Sequence, residues 1–309
     1  MPGPAAETTR AATRPSPAAW IRAIRPEQWS KNVLVFAALV FGLRLFDLDS
    51  VIRAMGAFVA FCGACSAVYL LNDVRDLERD RLHPQKRLRP VAAGSISVGG
   101  ALVAACVLAA GALLLAFRLA PPFGAIVLAY LVMNFGYSLG LKHVVILDTI
   151  LIATGFVLRA VGGAAAIAVE ISPWLVACTF MAALFLALGK RRAEIAALEG
   201  AGAHRPVSLA YSVDLLDQLM TVVAAAALLA YCFYTLSPEV RERFGLEHLE
   251  VTVPFVVYGL FRYLYVVRET GLAQDPTRAI VTDRPVLLTI LLWGAAVIAL
   301  LYLQGGALV

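Results

Sequence analysis

Residues 69–90 read YLLNDVRDLERDRLHPQKRLRP and close an apolar run with acid and base set side by side. On a helix Asn72, Asp76 and Asp80 fall at i, i+4 and i+8 along one ridge, with Asp73 just beside it. Oxygen ligands stacked in this way suit magnesium, a hard cation that favours carboxylates and keeps water or substrate phosphate in its shell. The spacing makes Asn72, Asp76 and Asp80 candidate metal ligands, with Asp73, Asp76 and Asp80 as candidate catalytic carboxylates. Lys86, Arg87 and Arg89 follow within a few residues. Carboxylates that hold a metal beside cations that take up phosphate charge are what a magnesium-chelated diphosphate requires. The alternative is a solvated helix end whose charges pair locally, Asp76 with Arg79 for example.

The elements that must position this cluster are membrane helices. Of the 309 residues 61% are hydrophobic and 15% charged, and the mean hydropathy is +0.81; soluble domains carry about 25% charged residues. The net charge of +5 does not call for nucleic acid, because the basic residues punctuate apolar runs. All five cysteines lie in apolar segments, and Cys62-x-x-Cys65 reads as buried packing, with no second pair and no nearby histidine. A bilayer core of ~30 Å needs about 20 apolar residues per helix. On that basis nine spans are expected, at 32–46, 52–72, 97–117, 122–141, 145–168, 173–189, 214–236, 251–268 and 285–304. The first is short and the eighth is interrupted by Arg262, so eight remains open. Residues 1–16 read as a disordered tail, 17–31 as an amphipathic helix lying on the inner leaflet, and 32–309 as the membrane domain.

Twenty lysines and arginines lie in the N-terminal segment and the connections after spans 2, 4, 6 and 8, against five on the other side. The positive-inside rule then makes the N-terminus and the Asn72–Asp80 mouth cytoplasmic in a multi-pass protein of the plasma (inner) membrane. Arg159 stands apart, inside span 5 and 17 residues after Lys142. An ionised arginine at that depth costs at least ~2.5–3.5 kcal/mol, so it should face a phosphate-bearing cavity or a polar group of another helix. Asp148 is not its partner, since 11 residues of helix separate them by ~16 Å. Tyr69 reads as a site hydroxyl or as an interfacial tyrosine, and Lys31 as a phosphate contact or a topology charge. Asp214 and Asp217 open span 7, where acids favour a helix N-terminus. His83, His204 and His248 lack metal-ligand partners and read as loop residues.

The run Asn72-Asp73-x-x-Asp76-x-x-x-Asp80, ending a span of a multi-span chain, resembles the first aspartate motif of the UbiA superfamily of membrane prenyltransferases. RPEQWSKN at Arg25–Asn32 is similar to that superfamily's entry sequence, and YSLGLK at Tyr137–Lys142 to its Tyr…Lys motif after the fourth helix. The resemblance implies an all-α nine-helix bundle around a lipid-open cavity. In it the first motif binds magnesium, Tyr137 and Lys142 help to hold phosphate, and a second D-x-x-x-D motif in loop 6–7 faces the first. Here that loop reads LGKRRAEIAALEG, with Lys190, Arg191 and Arg192 before a single acid, Glu194, and His143 stands where many relatives carry arginine. Cations in place of a carboxylate pair add phosphate capacity. This combination resembles the decaprenyl-phosphate phosphoribosyltransferase branch, which attaches phosphoribose from phosphoribosyl pyrophosphate (PRPP) to a polyprenyl phosphate lipid, a step toward cell-wall arabinan.

On that resemblance the substrate-binding set is Lys31, Tyr69, Lys86, Arg87, Tyr137, Lys142, Arg159, Lys190, Arg191 and Glu194, the cofactor is Mg2+, and a homo-oligomer such as a trimer stays open. The soluble PRPP-binding loop, acids followed by Gly-Gly-Thr, is absent. Two other readings compete. A prenyl diphosphate donor alkylating an aromatic ring would call for a full second aspartate motif. A transporter or lipid flippase lined by Arg159 would call for internal repeats or broken helices.

Overall fold

The computed structural model describes residues 16–200, 211–244, 248–269 and 276–304, all helix and connection with no strand among them. The short helices α1 (Pro17–Ile24) and α2 (Ala37–Phe41) flank a 3-10 stretch, Pro26–Phe36. Then come α3 (Leu48–Arg75), the single-turn α4 (Leu77–Leu82), α5 (Val98–Leu119), α6 (Pro121–Leu139), α7 (Leu147–Ala166) and α8 (Pro173–Gly200). The chain closes with α9 (Val213–Leu236), α10 (Pro238–Phe244), α11 (Val253–Glu269), α12 (Pro276–Thr282) and α13 (Arg284–Ala299). Among the described residues eight helices are long and apolar enough to cross a membrane: α3, α5–α9, α11 with its leading turn, and α13. The chain is a multi-pass membrane protein. The tail expected at 1–16 lies, up to residue 15, outside the described residues, as does His204.

The segment expected as the first span is not a regular α-helix. Pro26 keeps Arg25 out of the right-handed helical region, and Arg25 sits at φ 53°, ψ 66°. The helix expected over 17–31 therefore stops at Ile24, and a 3-10 stretch takes over. Nor does α1 float free: Ala19 and Ala23 are buried against Leu70, Val91 and Ile96, and Ile21 is left exposed. From Arg25 onward the chain runs antiparallel to α3. Arg25 meets Asp73, Trp29 Nε1 donates to Ser66 Oγ at 3.1 Å, Asn32 Nδ2 to Cys62 Sγ at 3.3 Å, and Phe36 stacks on Phe58 at 5.4 Å. Eleven 3-10 residues at ~2.0 Å and five α residues at ~1.5 Å give this entry segment about 30 Å of reach, a bilayer core's thickness.

The core forms two half-bundles. In one, Ala57, Ala60, Phe61, Ala64 and Val68 of α3 pack on Ala112 and Ala116 of α5 and on Phe123, Val127 and Tyr130 of α6. In the other, Phe185 and Leu188 of α8 pack on Leu216, Met220 and Val223 of α9 and on Tyr263, Val266 and Val267 of α11. The alanines let backbones approach closely, which drives association where lipid removes the hydrophobic incentive. Gly163 of α7 shows how closely: a Cβ there would lie 2.1 Å from the Val35 carbonyl oxygen of the entry segment. Backbone cannot yield as a side-chain tip does. Gly163→Ala should therefore cost about 1–3 kcal/mol, read as a lower thermal midpoint in detergent. Gly111→Ala, where a Cβ meets nothing within 4 Å, should leave the midpoint unchanged or raise it.

Candidate active site

The acidic cluster is built where α3 gives way to α4. The helix ends at Arg75, and Asp76 sits at the junction with φ −88° and ψ 9°. Asp76 N–H still bonds the Asn72 carbonyl and Asp80 N–H the Asp76 carbonyl, both at 2.8 Å. The expected ridge is thus bent rather than straight, and the bend sorts its members. Asp73 and Asp80 turn inward, with side chains 1% and 4% exposed, and share Arg89, whose Nη1 lies 3.4 Å from Asp73 Oδ1 and 2.6 Å from Asp80 Oδ2. Arg25 also pairs with Asp73 Oδ1. Asp76, 27% exposed, instead receives Lys142 Nζ at 2.9 and 3.0 Å. Asn72 Oδ1 accepts from Ser138 Oγ, and Arg75 Nη2 donates to the Leu139 carbonyl at 2.7 Å. The carboxylates of this cluster therefore divide between Arg89 and Lys142, on the turn after α6.

The entry segment forms the cluster's side wall. The Arg25 guanidinium lies 4.7 Å over the Tyr69 ring. Gln28 Oε1 accepts from Lys31 Nζ at 2.6 Å and from Tyr69 hydroxyl at 3.4 Å. Lys31 and Tyr69 thus share Gln28 as a partner. Lys86 and Arg87 do not: they are exposed on a separate 3-10 turn, and among the described residues neither pairs with a carboxylate. Proline at 90 and the turn before it aim Arg89 inward instead.

The second cluster lies on α8, not in a loop, because the helix runs on through Lys190–Glu194. Arg191 donates from Nη2 to Asp148 Oδ2 and from Nη1 to Glu194 Oε2 at 2.9 Å. Asp148, 2% exposed, also accepts from Tyr211 hydroxyl at 2.7 Å. Lys190 is 48% exposed and only 3.8 Å from Glu194. Arg192 turns away to Asp217 at 2.8 Å and to the Val267 carbonyl at 3.0 Å, tying α8 to α9 and α11, and Arg268 joins it on Asp217 at 3.3 Å. Asp217 therefore has a structural use that an acid at a helix start does not reveal. Tyr137 lies within electrostatic reach of Arg191, Asp148 and Glu194, while its neighbour Ser138 bonds Asn72. The last turn of α6 links the two clusters.

Arg159 takes the second of its two readings. Six per cent exposed, it donates to Asn32 Oδ1 (2.7 Å), the Gly155 carbonyl (2.7 Å) and Tyr130 hydroxyl (2.9 Å), under the Tyr130 and Phe156 rings. It pins the entry segment to α6 and α7 through these bonds, nearly buried among them. Tyr211 escapes local reading, as do the partners of Arg25, Arg89 and Asp148.

The donor set of the first cluster fits magnesium in kind. It is all oxygen, and the buried Asp73 Oδ2 has no hydrogen-bond partner. Among the described residues no three carboxylate, imidazole or thiol groups converge tightly enough to hold an ion unaided. Magnesium bound through one or two carboxylates plus substrate phosphate has that requirement. The model of the UbiA prenyltransferase family matches residues 33–270 of the chain.

The chain belongs to the UbiA prenyltransferase family.

A UbiA homolog from Archaeoglobus fulgidus bound to GPP and Mg2+ shares the fold with a TM-score of 0.68 at 18% identity, over 91% of this chain and 99% of that one. A Corynebacterium glutamicum protein named decaprenyl-phosphate phosphoribosyltransferase is 35% identical over 290 residues, 92% of this chain and 87% of that protein. A Mycobacterium tuberculosis (strain H37Rv) protein of the same name is 36% identical over 283 residues, 90% of this chain and 92% of that protein. Within the UbiA family, then, the chain is similar along nearly its whole length to proteins named for moving phosphoribose.

Proposed function

We propose that the chain transfers 5-phosphoribose from PRPP to decaprenyl phosphate, releasing pyrophosphate and giving decaprenylphosphoryl-5-phosphoribose, a lipid-linked precursor for cell-wall arabinan. The observation that carries this reading is the second cluster. On α8 it presents Lys190 and Arg191 with a single acid, Glu194, and the α7 carboxylate Asp148 is already engaged by Arg191 and Tyr211, where a second metal-binding carboxylate pair would serve a prenyl diphosphate. PRPP carries a 1-diphosphate and a separate 5-phosphate, so one acidic and one cationic cluster match its two anionic ends. The extended similarity to proteins named phosphoribosyltransferase supports the same choice.

Magnesium held by Asn72, Asp73, Asp76 and Asp80 would neutralise the diphosphate and make it a better leaving group. The chain's own residues do the rest. Arg25, Arg89 and Lys142 are already paired with these carboxylates; on donor binding they turn to the diphosphate oxygens. Arg191 and Lys190 take the 5-phosphate, and Tyr137, between the clusters, flanks the ribose. The lipid phosphate is an anion and needs no general base. Its oxygen attacks C1 as the C1–O bond to pyrophosphate breaks, through an oxocarbenium-like transition state, and in-line attack turns the α-donor into the β-product. Catalysis is then positioning and electrostatics. With the basic end of the bundle cytoplasmic in the plasma membrane, PRPP arrives from the cytosol, and the entry segment supplies the ninth crossing, placing the C-terminus outside.

Purified protein incubated with magnesium, PRPP and decaprenyl phosphate should release pyrophosphate only when all three are present. No release would overturn the reading, and prenylation of an aromatic acid would replace it.

A further inference from the structure

Ile146, immediately before α7, has φ 69° and ψ −43°. A β-branched residue in positive φ is a genuine outlier, held only where its surroundings over-determine it. Here the Ile146 N–H donates to the Tyr211 hydroxyl, which donates onward to Asp148 Oδ1. The other Asp148 oxygen holds Arg191. One buried phenol (6% exposed) thus joins a strained backbone, a buried carboxylate and the cation of the second cluster. Burial, and then the bond to Asp148, push the Tyr211 phenol up to about 12, so it stays a protonated donor at neutral and mildly alkaline pH. Asp148 and Glu194 engage two of the five N–H donors on Arg191, and 25% of its side chain remains exposed. A partly exposed guanidinium held by two carboxylates, with donors to spare, is suited to clamp an anion.

We propose that Tyr211 and Asp148 are positioning residues that aim Arg191 at the donor's second phosphate and thereby select a sugar diphosphate with a distal phosphate over a prenyl diphosphate. This rests on the PRPP reading above. The Tyr211 hydroxyl touches no substrate; it acts through Asp148 and the strained turn. Without it, Asp148 loses one of its two side-chain partners and keeps only Arg191, and the Ile146 N–H loses its acceptor.

The test uses the full chain in detergent or nanodiscs with two probes that report the two ends of the donor separately: ribose 5-phosphate and magnesium pyrophosphate. In Tyr211→Phe, KM for PRPP and the inhibition constant of ribose 5-phosphate should both rise about tenfold, the worth of one hydrogen bond to a charged group. The inhibition constant of pyrophosphate should stay unchanged, which also reports an intact fold. Asp148→Asn should shift the same two constants, and the double variant should lose less than the sum of the single losses, because the residues act as one unit. Unchanged ribose 5-phosphate inhibition in Tyr211→Phe, or equal weakening of both probes, would overturn the positioning role while leaving the donor assignment standing. If the wild type binds pyrophosphate but neither PRPP nor ribose 5-phosphate, the donor assignment falls first and this role falls with it.

Discussion

Asp76→Ala should lower turnover by on the order of a thousandfold, the scale of removing a preorganised electrostatic group from a charged transition state. Asp76 is the cleanest probe of the acidic cluster because it is the most open of the three carboxylates and has one cationic partner, Lys142. Its loss frees a lysine that is 18% exposed and can reach water. Asp73→Ala would be harder to interpret, since it strands Arg25 and leaves Arg89 with Asp80 alone, and breaking buried pairs costs about 3–5 kcal/mol of stability on its own. The measurement is the initial rate of pyrophosphate release at saturating PRPP across a magnesium titration. Asp76→Asn, which keeps the oxygen but not the charge, should shift the magnesium requirement upward. A rate for Asp76→Ala within about tenfold of wild type would show that the carboxylate does not take part in the step.

Arg191→Ala should lower kcat/KM for PRPP about a hundredfold, whereas Lys190→Ala should change it by only a few-fold. The two side chains are adjacent in sequence but differ in their settings. Arg191 is held by a buried aspartate and by Glu194 and offers a planar fork. Lys190 is half exposed, with a 3.8 Å pair that water and salt weaken. Two charged hydrogen bonds at about 1.5–3 kcal/mol each are enough for the arginine effect. Steady-state kinetics with both variants checks this. Equal losses would mean that the lysine closes on the substrate as tightly as the arginine, contrary to the resting geometry.

How far these residues could be read from the chain follows from the range of their interactions. Asn72, Asp76 and Asp80 announce themselves because four-residue spacing is local, and even the break at Asp76 keeps the i to i+4 backbone bonds. Seven of the expected spans become α-helices with ends shifted by a few residues, and the span at 173–189 extends past its basic run to Gly200. The entry segment reads as a short span because hydropathy does not distinguish 3-10 from α, although Pro26 marks where the amphipathic helix must stop. Partners are what spacing cannot supply. Arg25 and Asp73 are 48 residues apart and Tyr211 and Asp148 are 63 apart, and only the packed bundle brings them together. Arg159 illustrates the division: burial of a charge was legible, but its neutral partners Asn32 and Tyr130 come from distant segments. Lys86, Arg87 and Arg89 read as one basic cluster, yet among the described residues it is Arg89 that pairs with Asp73 and Asp80.

The central claim is that the isoprenoid is the acceptor and the diphosphate leaves from the sugar. The most direct test is to follow two labels through one turnover, one in the 5-phosphate of PRPP and one in its diphosphate. With decaprenyl phosphate and magnesium, the 5-phosphate label should pass into the lipid phase while the diphosphate label stays in water as pyrophosphate. Retention of both labels in the aqueous phase, with prenyl diphosphate instead consumed onto an aromatic acceptor, would contradict it.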